Sequence, residues 1–341
     1  MLPRPGRPAR PAFTVIELLV VIGIIAVILS LASSAVMAII RAQQKSTTEG
    51  NIRKVNGALQ NAIRAALDQA KEVPIPASVM AIAGGDPERA KVIWQKLQIK
   101  RNFPMTYAEA LAPWNFTGNT AMPKGNPLTA ADLPPLQQFV DGLKQVPVAQ
   151  FGVNPQAEMA ALLEMTLRVN RRGSSFSVEQ DLDVTALSDT NGDGVREVVD
   201  LWGQPLGFYR FPTDFADVDA SATVSPSAGP RRDPQDPAGK LLDVNWNNQT
   251  QYAAQGGVYW FEQLCHLVHD PNQAQWTPRA WYQVPVVVST GPNKRLGLLF
   301  TYTPGYYTPG NPPTGSPNWG MFPDPTDLAG ANDNIFSYSL K

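Results

Sequence analysis

The sequence predicts an α+β fold: one long N-terminal helix, a helical middle and a strand-rich C-terminal region built on an antiparallel sheet. Three observations carry this expectation. Residues 13–40 read FTVIELLVVIGIIAVILSLASSAVMAII, an apolar run with a single charge, Glu17. Helical periodicity then continues towards residue 72, with no proline between Pro11 and Pro74. From Val184 onward, short β-branched and aromatic segments alternate with turns rich in Gly, Pro and Asn.

As a helix, residues 13–40 would measure roughly 42 Å, against a bilayer hydrocarbon core of about 30 Å. The run therefore reads as one transmembrane helix. It is about twice as long as the 7–15 apolar residues of an ordinary signal peptide. The preceding residues 1–12, MLPRPGRPARPA, carry Arg4, Arg7 and Arg10 and no acid. The positive-inside rule keeps such a leader cytoplasmic and places the remainder of the chain on the other side. Glu17 lies four residues into the apolar run, where a carboxylate costs about 3 kcal/mol on insertion scales. Two readings follow: a side chain that snorkels to the headgroups, or a charge that meets a partner.

The segment Phe13-Thr14-Val15-Ile16-Glu17, followed by uninterrupted apolar sequence, resembles the prepilin N-terminus of type IV pilins and type II secretion pseudopilins. That resemblance implies cleavage between Ala12 and Phe13 by a prepilin peptidase, then methylation of the new Phe13 amine. Ala12 stands where the family usually has Gly, and Ser34 where it often has Pro. The resemblance further implies a pilin-like fold, in which the long helix packs on the C-terminal antiparallel sheet. It implies a single-pass protein of the inner membrane, with its leader cytoplasmic and its body extracytoplasmic. The implied partners are the lipid bilayer, other pilin-like subunits and an inner-membrane assembly platform. In such an assembly the Glu17 carboxylate would pair with the Phe13 amine of a neighbour, because two charges that are costly alone in lipid are less costly together. The function implied is that of a structural subunit assembling through its helix into a secretion- or pilus-type filament. The alternative is a non-polymerising, membrane-tethered extracytoplasmic binding protein that uses a prepilin-type leader.

Residues 41–72 extend the same helix in amphipathic form. Ile52, Val55, Leu59, Ala62, Ile63, Ala66 and Leu67 recur at helical spacing, with Arg53, Lys54, Asn61, Arg64 and Asp68 on other faces. One continuous helix from about Phe13 to Ala70 is expected, ended by Pro74 and Pro76. Residues 73–185 read as a helical insertion. Asp86–Leu97 begins with an N-cap Asp and Pro87 at the first helical position, and Asn154–Arg168 repeats that signature with Pro155. Leu133–Leu143 reads as a shorter helix, and Phe116–Pro127 as loop.

Residues 186–341 form the β-rich part. Glu197–Asp200 and Leu206–Phe211 flank the turn LWGQP and suggest a hairpin. Val284–Ser289 reads as a buried strand, followed by a turn at Gly291–Gly297 and a strand at Leu298–Tyr302. Asn334–Leu340 alternates like a final strand. The stretches Asp214–Gly239 and Pro304–Asp327 read as long surface loops. Three segments here again resemble pseudopilins, in the family's order: DLWGQPLGFY at 200–209, STGPNKRLG at 289–297 and NDNIFSY at 332–338.

Composition narrows the function classes. With 28 basic and 29 acidic residues the chain has a net charge of −1, so nothing points to nucleic acid. Cys265 is the only cysteine, which excludes an intramolecular disulfide. No nucleophile elbow, phosphate loop or dinucleotide fingerprint occurs, and no enzymatic activity is expected. His266 and His269 would share a face on a helix, but the neighbouring Cys265 would not join them, and no third ligand lies nearby. They read as a structural or surface pair.

The strongest local constellation is DTNGDGVREVVD at 189–200. It places oxygen ligands where a twelve-residue calcium loop has them: Asp189, Asn191, Asp193, Glu197 and Asp200 through side chains, and Val195 through its carbonyl. The alternative is an acidic turn rich in Asx motifs.

Overall fold

The computed structural model describes residues 14–115, 128–169, 176–182, 184–210, 235–242, 266–269, 276–279, 285–298 and 327–340. The expected leader, the Ala12–Phe13 cleavage site, Cys265, the strand beyond Leu298 and most of the three long loops lie outside these residues. The described chain divides into two compact units, Met1–Ser46 and Thr47–Lys341. The boundary falls inside the first helix, α1, which runs unbroken from Val15 to Glu72.

In the first unit α1 presents apolar side chains on every face. From Val15 to Ile40 its large hydrophobic residues are 41–81% exposed. Among the described residues this is the one helix long and apolar enough to cross a membrane. In the second unit the same helix buries a stripe: Ile52, Val55 and Leu59 completely, then Ala62, Ile63, Ala66 and Ala70. These are the positions that the 3.6-residue period selects. The helix stops at Glu72 because Pro74 lacks an amide hydrogen and disfavours helical geometry at Val73.

Six shorter helices follow among the described residues: α2 (Ala77–Ile82), α3 (Pro87–Asn102), α4 (Tyr107–Leu111), α5 (Gln137–Gly142), α6 (Pro155–Arg168) and the single turn α7 (Val178–Asp181). The two proline-started helices begin as their sequences require. Asp86 Oδ1 accepts from the amides of Glu88 and Arg89 at 2.9 and 3.1 Å, and Asn154 Oδ1 accepts from Ala157 at 3.2 Å. Helix α3 continues five residues beyond the expected end at Leu97.

The strands form small antiparallel sheets. β1 (Leu187–Ser188) pairs with β2 (Glu197–Val198). β3 (Gly207–Tyr209), β6 (Val286–Ser289) and β7 (Ile335–Phe336) make a three-stranded sheet with β6 in the centre. β4 (His266–His269) pairs with β5 (Trp276–Arg279). Three expectations need correction here. The hairpin around LWGQP is shorter than expected: the Asp200 amide donates to the Gln204 carbonyl and the Leu206 amide to the Val198 carbonyl on either side of the Val199–Pro205 bridge, and beyond it β2 and β3 enter different sheets. The final strand stops at Phe336 and gives way to a 3-10 turn at Ser337–Ser339. His266 and His269 lie on strand β4, so the helical arrangement weighed for a shared metal site does not arise.

The main core joins Val55, Leu59 and Ile63 of α1, Met159, Leu163 and Leu167 of α6, Phe208 and Tyr209 of β3, and Val286–Val288 of β6. The helix nearest to β2 and β3 is α6. Part of the region read as an insertion thus packs directly on the strands and shares the main core with α1, because Met159, Leu163 and Leu167 repeat at four-residue spacing. The rest of that region builds its own clusters, one around Val79, Ile93 and Leu97, another around Tyr107, Phe139 and Leu162.

Candidate functional site

Three polar constellations stand out, at the start of α1, at the turn after β2 and in the β1–β2 loop. The first four amides of any helix lack intrahelical acceptors. At the start of α1, the Thr14 amide and hydroxyl both donate to Glu17 Oε2 at 2.9 Å, and the Glu17 amide donates back to Thr14 Oγ1 at 3.3 Å. This is a capping box, and the sequence carried its signal, Thr-x-x-Glu, which the family resemblance overshadowed. Glu17 therefore has a local partner in the isolated chain.

The second constellation centres on Asp200, which is 3% exposed. Its Oδ1 accepts from the amides of Trp202 and Gln204, both at 3.0 Å, and closes the LWGQP turn. Its Oδ2 accepts from Ser289 Oγ at 2.7 Å and Thr290 Oγ1 at 3.0 Å, at the end of β6. Next to it, Gly291 adopts φ +69°, and a side chain there would collide with the Asp333 carbonyl oxygen. The Asn293 amide donates to Asp333 Oδ2 at 3.0 Å, tying this turn to the segment before β7. The 200–209 and 289–297 segments thus meet at the Asp200 carboxylate, and the 332–338 segment joins the second of them through Asp333. Asp200 is turned to these partners and is not among the carboxylates that gather in the acidic loop, which differs from its expected place as the twelfth-position ligand.

The third constellation is that loop, residues 189–196, between β1 and β2. Asp189, Asp193 and Glu197 bring one carboxylate oxygen each to within 4.8 Å of one another. Asp189 accepts from the amides of Gly192 and Gly194 at 2.7 and 3.1 Å. Asn191, expected as a ligand, instead spends its side chain inside the loop. Its Oδ1 accepts from the Asp193 amide and its Nδ2 donates to Asp193 Oδ2, both at 3.0 Å. The Val195 amide donates to Asp193 Oδ1 at 2.8 Å, and its side chain is buried. Two contacts moor the loop to the helices. Tyr107 Oη, at the start of α4, donates to Asp193 Oδ2 at 2.9 Å, and Gln145 Nε2 donates to the Gly194 carbonyl at 2.7 Å. Neither residue was legible in the sequence, since each lies tens of positions from its partner. Glu197 is fully buried. Burial, with Asp193 and Asp189 close by, pushes its carboxyl up to about 7, although the Thr190 amide donates to Oε2 at 2.7 Å.

One further charged cluster is structural. Arg210 grips both oxygens of Glu109 at 2.8 and 2.9 Å and also donates to the Phe103 carbonyl at 2.8 Å. Lys100 stands 3.5 Å from Glu109 and donates to the Pro113 carbonyl at 3.0 Å. Burial pushes the Lys100 ammonium down to about 8, with Arg210 adding to the effect and Glu109 opposing it.

No protein-family model, curated protein or solved structure matches the chain.

Proposed function

We propose that the chain is a pilin-like structural subunit, anchored in the inner membrane by α1 and assembling through that helix into a secretion- or pilus-type filament. The observation that carries this reading is the division of labour along one unbroken helix. Its first part offers large apolar side chains on all faces, and its second part belongs to the core of the body. The meeting of the 200–209 and 289–297 segments at Asp200, with 332–338 joined to the second through Asp333, supports the reading, because those segments carry the pseudopilin resemblance. In the proposed mechanism a prepilin peptidase cuts after Ala12. The Phe13 amine so created directly precedes Thr14 in sequence, and the Glu17 carboxylate of one subunit pairs with the amine of the next. A membrane-tethered protein that stays single is the alternative.

Oxidative cross-linking separates the two. In a Cys265→Ser background, the double substitution Ile16→Cys, Val20→Cys gives each subunit two reactive positions beside Glu17. A ladder of multimers from intact membranes is the expected result. Monomers alone, under conditions that oxidise both thiols, would favour the tethered alternative.

A further inference from the structure

The β1–β2 loop gathers negative charge without local relief. Arg196 is the one basic residue between Asp189 and Glu197, and its guanidinium turns to Glu179 at 3.2 Å and Glu164 at 3.9 Å. A second observation concerns Glu197 alone. Its side chain is completely buried, and its Oε1 has no hydrogen-bond partner among the described residues. A buried carboxylate oxygen left unanswered costs roughly as much as a lost charged hydrogen bond, so such atoms call for an explanation.

We propose that this loop is a divalent-cation site, in which a calcium-sized ion sits between the carboxylates of Asp189, Asp193 and Glu197. The donor set is all oxygen, and no His or Cys lies in the loop, which selects hard cations over zinc or copper. The three oxygens all lie within 4.8 Å of one another, inside the span of about 4.6–5.2 Å between oxygens on opposite sides of Ca²⁺. Mg²⁺ gives up its waters reluctantly and demands near-ideal octahedral geometry, which disfavours it at a site built from three protein carboxylates. The loop also provides the outer support that oriented ligands need: two glycine amides hold Asp189, while Tyr107, Asn191 and the Val195 amide hold Asp193. Bound there, the ion would fasten the β1–β2 hairpin onto the start of α4, a cross-link in a chain whose single cysteine permits no internal disulfide. The site is independent of the filament reading.

The test uses the full chain in detergent, stripped with a chelator and then titrated with Ca²⁺ or Mg²⁺, read by calorimetry and thermal unfolding. One saturable Ca²⁺ event is expected, with a dissociation constant of roughly 0.1–1 mM, in the range of extracellular calcium modules. The unfolding temperature should rise by several degrees in Ca²⁺ over chelator. Asp189→Asn, at an exposed position, should fold normally and weaken Ca²⁺ binding at least about tenfold, since a charged ligand is lost. Glu197→Gln should abolish the Ca²⁺ response while unfolding in chelator no earlier than wild type, because a buried charge has been removed. Identical melting of the wild type in Ca²⁺ and chelator, with no saturable heat, would overturn the proposal and leave Glu197 as a carboxyl that stays protonated. Undiminished binding in both variants would place the ion elsewhere and overturn it equally. Mg²⁺ binding as tightly as Ca²⁺ would overturn the choice of Ca²⁺.

Discussion

The two halves of α1 share one backbone and differ in everything their side chains meet. From Val15 to Ile40, residues such as Leu19, Leu29 and Leu31 remain at least 60% exposed, whereas Val55 and Leu59 in the second half are completely buried. Hydrogen bonding alone therefore does not say what a helix is for; its partners do. Apolar area left in water is unfavourable by about 25 cal/mol per Å², so the first half is suited to apolar surroundings, and it is long and apolar enough to cross a membrane. The second half already has its partners in α6, β3 and β6.

That contrast can be broken by mutation. The largest effect on the body is expected from Asp200→Ala, which orphans two amides and the Ser289 and Thr290 hydroxyls together. The loss should be on the order of 4 kcal/mol, measured by denaturant unfolding of the full chain in detergent. Next comes the helix itself. Leu59→Ala should destabilise the body by about 3 kcal/mol, because it opens a cavity in the main core. The same change in the first half, Leu29→Ala, should stay within about 0.5 kcal/mol for the body. Equal losses at Leu59 and Leu29 would dissolve the distinction between the halves.

A smaller effect concerns pH. The folded Lys100 ammonium titrates near 8, below the ordinary lysine range, facing Glu109 and Arg210. Between those values the unfolded chain binds more protons than the folded one, so this group makes stability rise with pH above about 8. Wild type should therefore gain on Lys100→Met variants between pH 7 and about 9.5 in their unfolding temperatures, taken at each pH. A gap that does not change with pH would show that Lys100 titrates alike in the folded and unfolded chains.

Local chemistry was legible in the sequence, and long-range pairing was not. The caps at Asp86 and Asn154 were readable because the capping side chain and the amides it serves lie within three residues. The buried stripe of α1 followed from its period. The strands β3, β6 and β7 were readable from their turn chemistry, although their pairing was not. Asp200 fitted a local calcium pattern, yet it is held by Ser289 and Thr290, about ninety positions away. Tyr107 reaches Asp193 across 86 positions, and no local signal announces such a contact. The Thr14–Glu17 box is the opposite case, a local signal that a more conspicuous resemblance concealed.

That box sharpens the central claim, that the first half of α1 works by assembling with its neighbours. A capping box accepts Gln in place of Glu, so Glu17→Gln keeps the cap and deletes the charge. With the Ile16→Cys, Val20→Cys cross-linking pair, the account predicts that Glu17→Gln inserts into membranes at wild-type levels, leaves body stability unchanged and loses the multimer ladder. A ladder as long and as abundant as that of the unsubstituted Glu17 chain would contradict the claim and reduce Glu17 to the cap of its own helix.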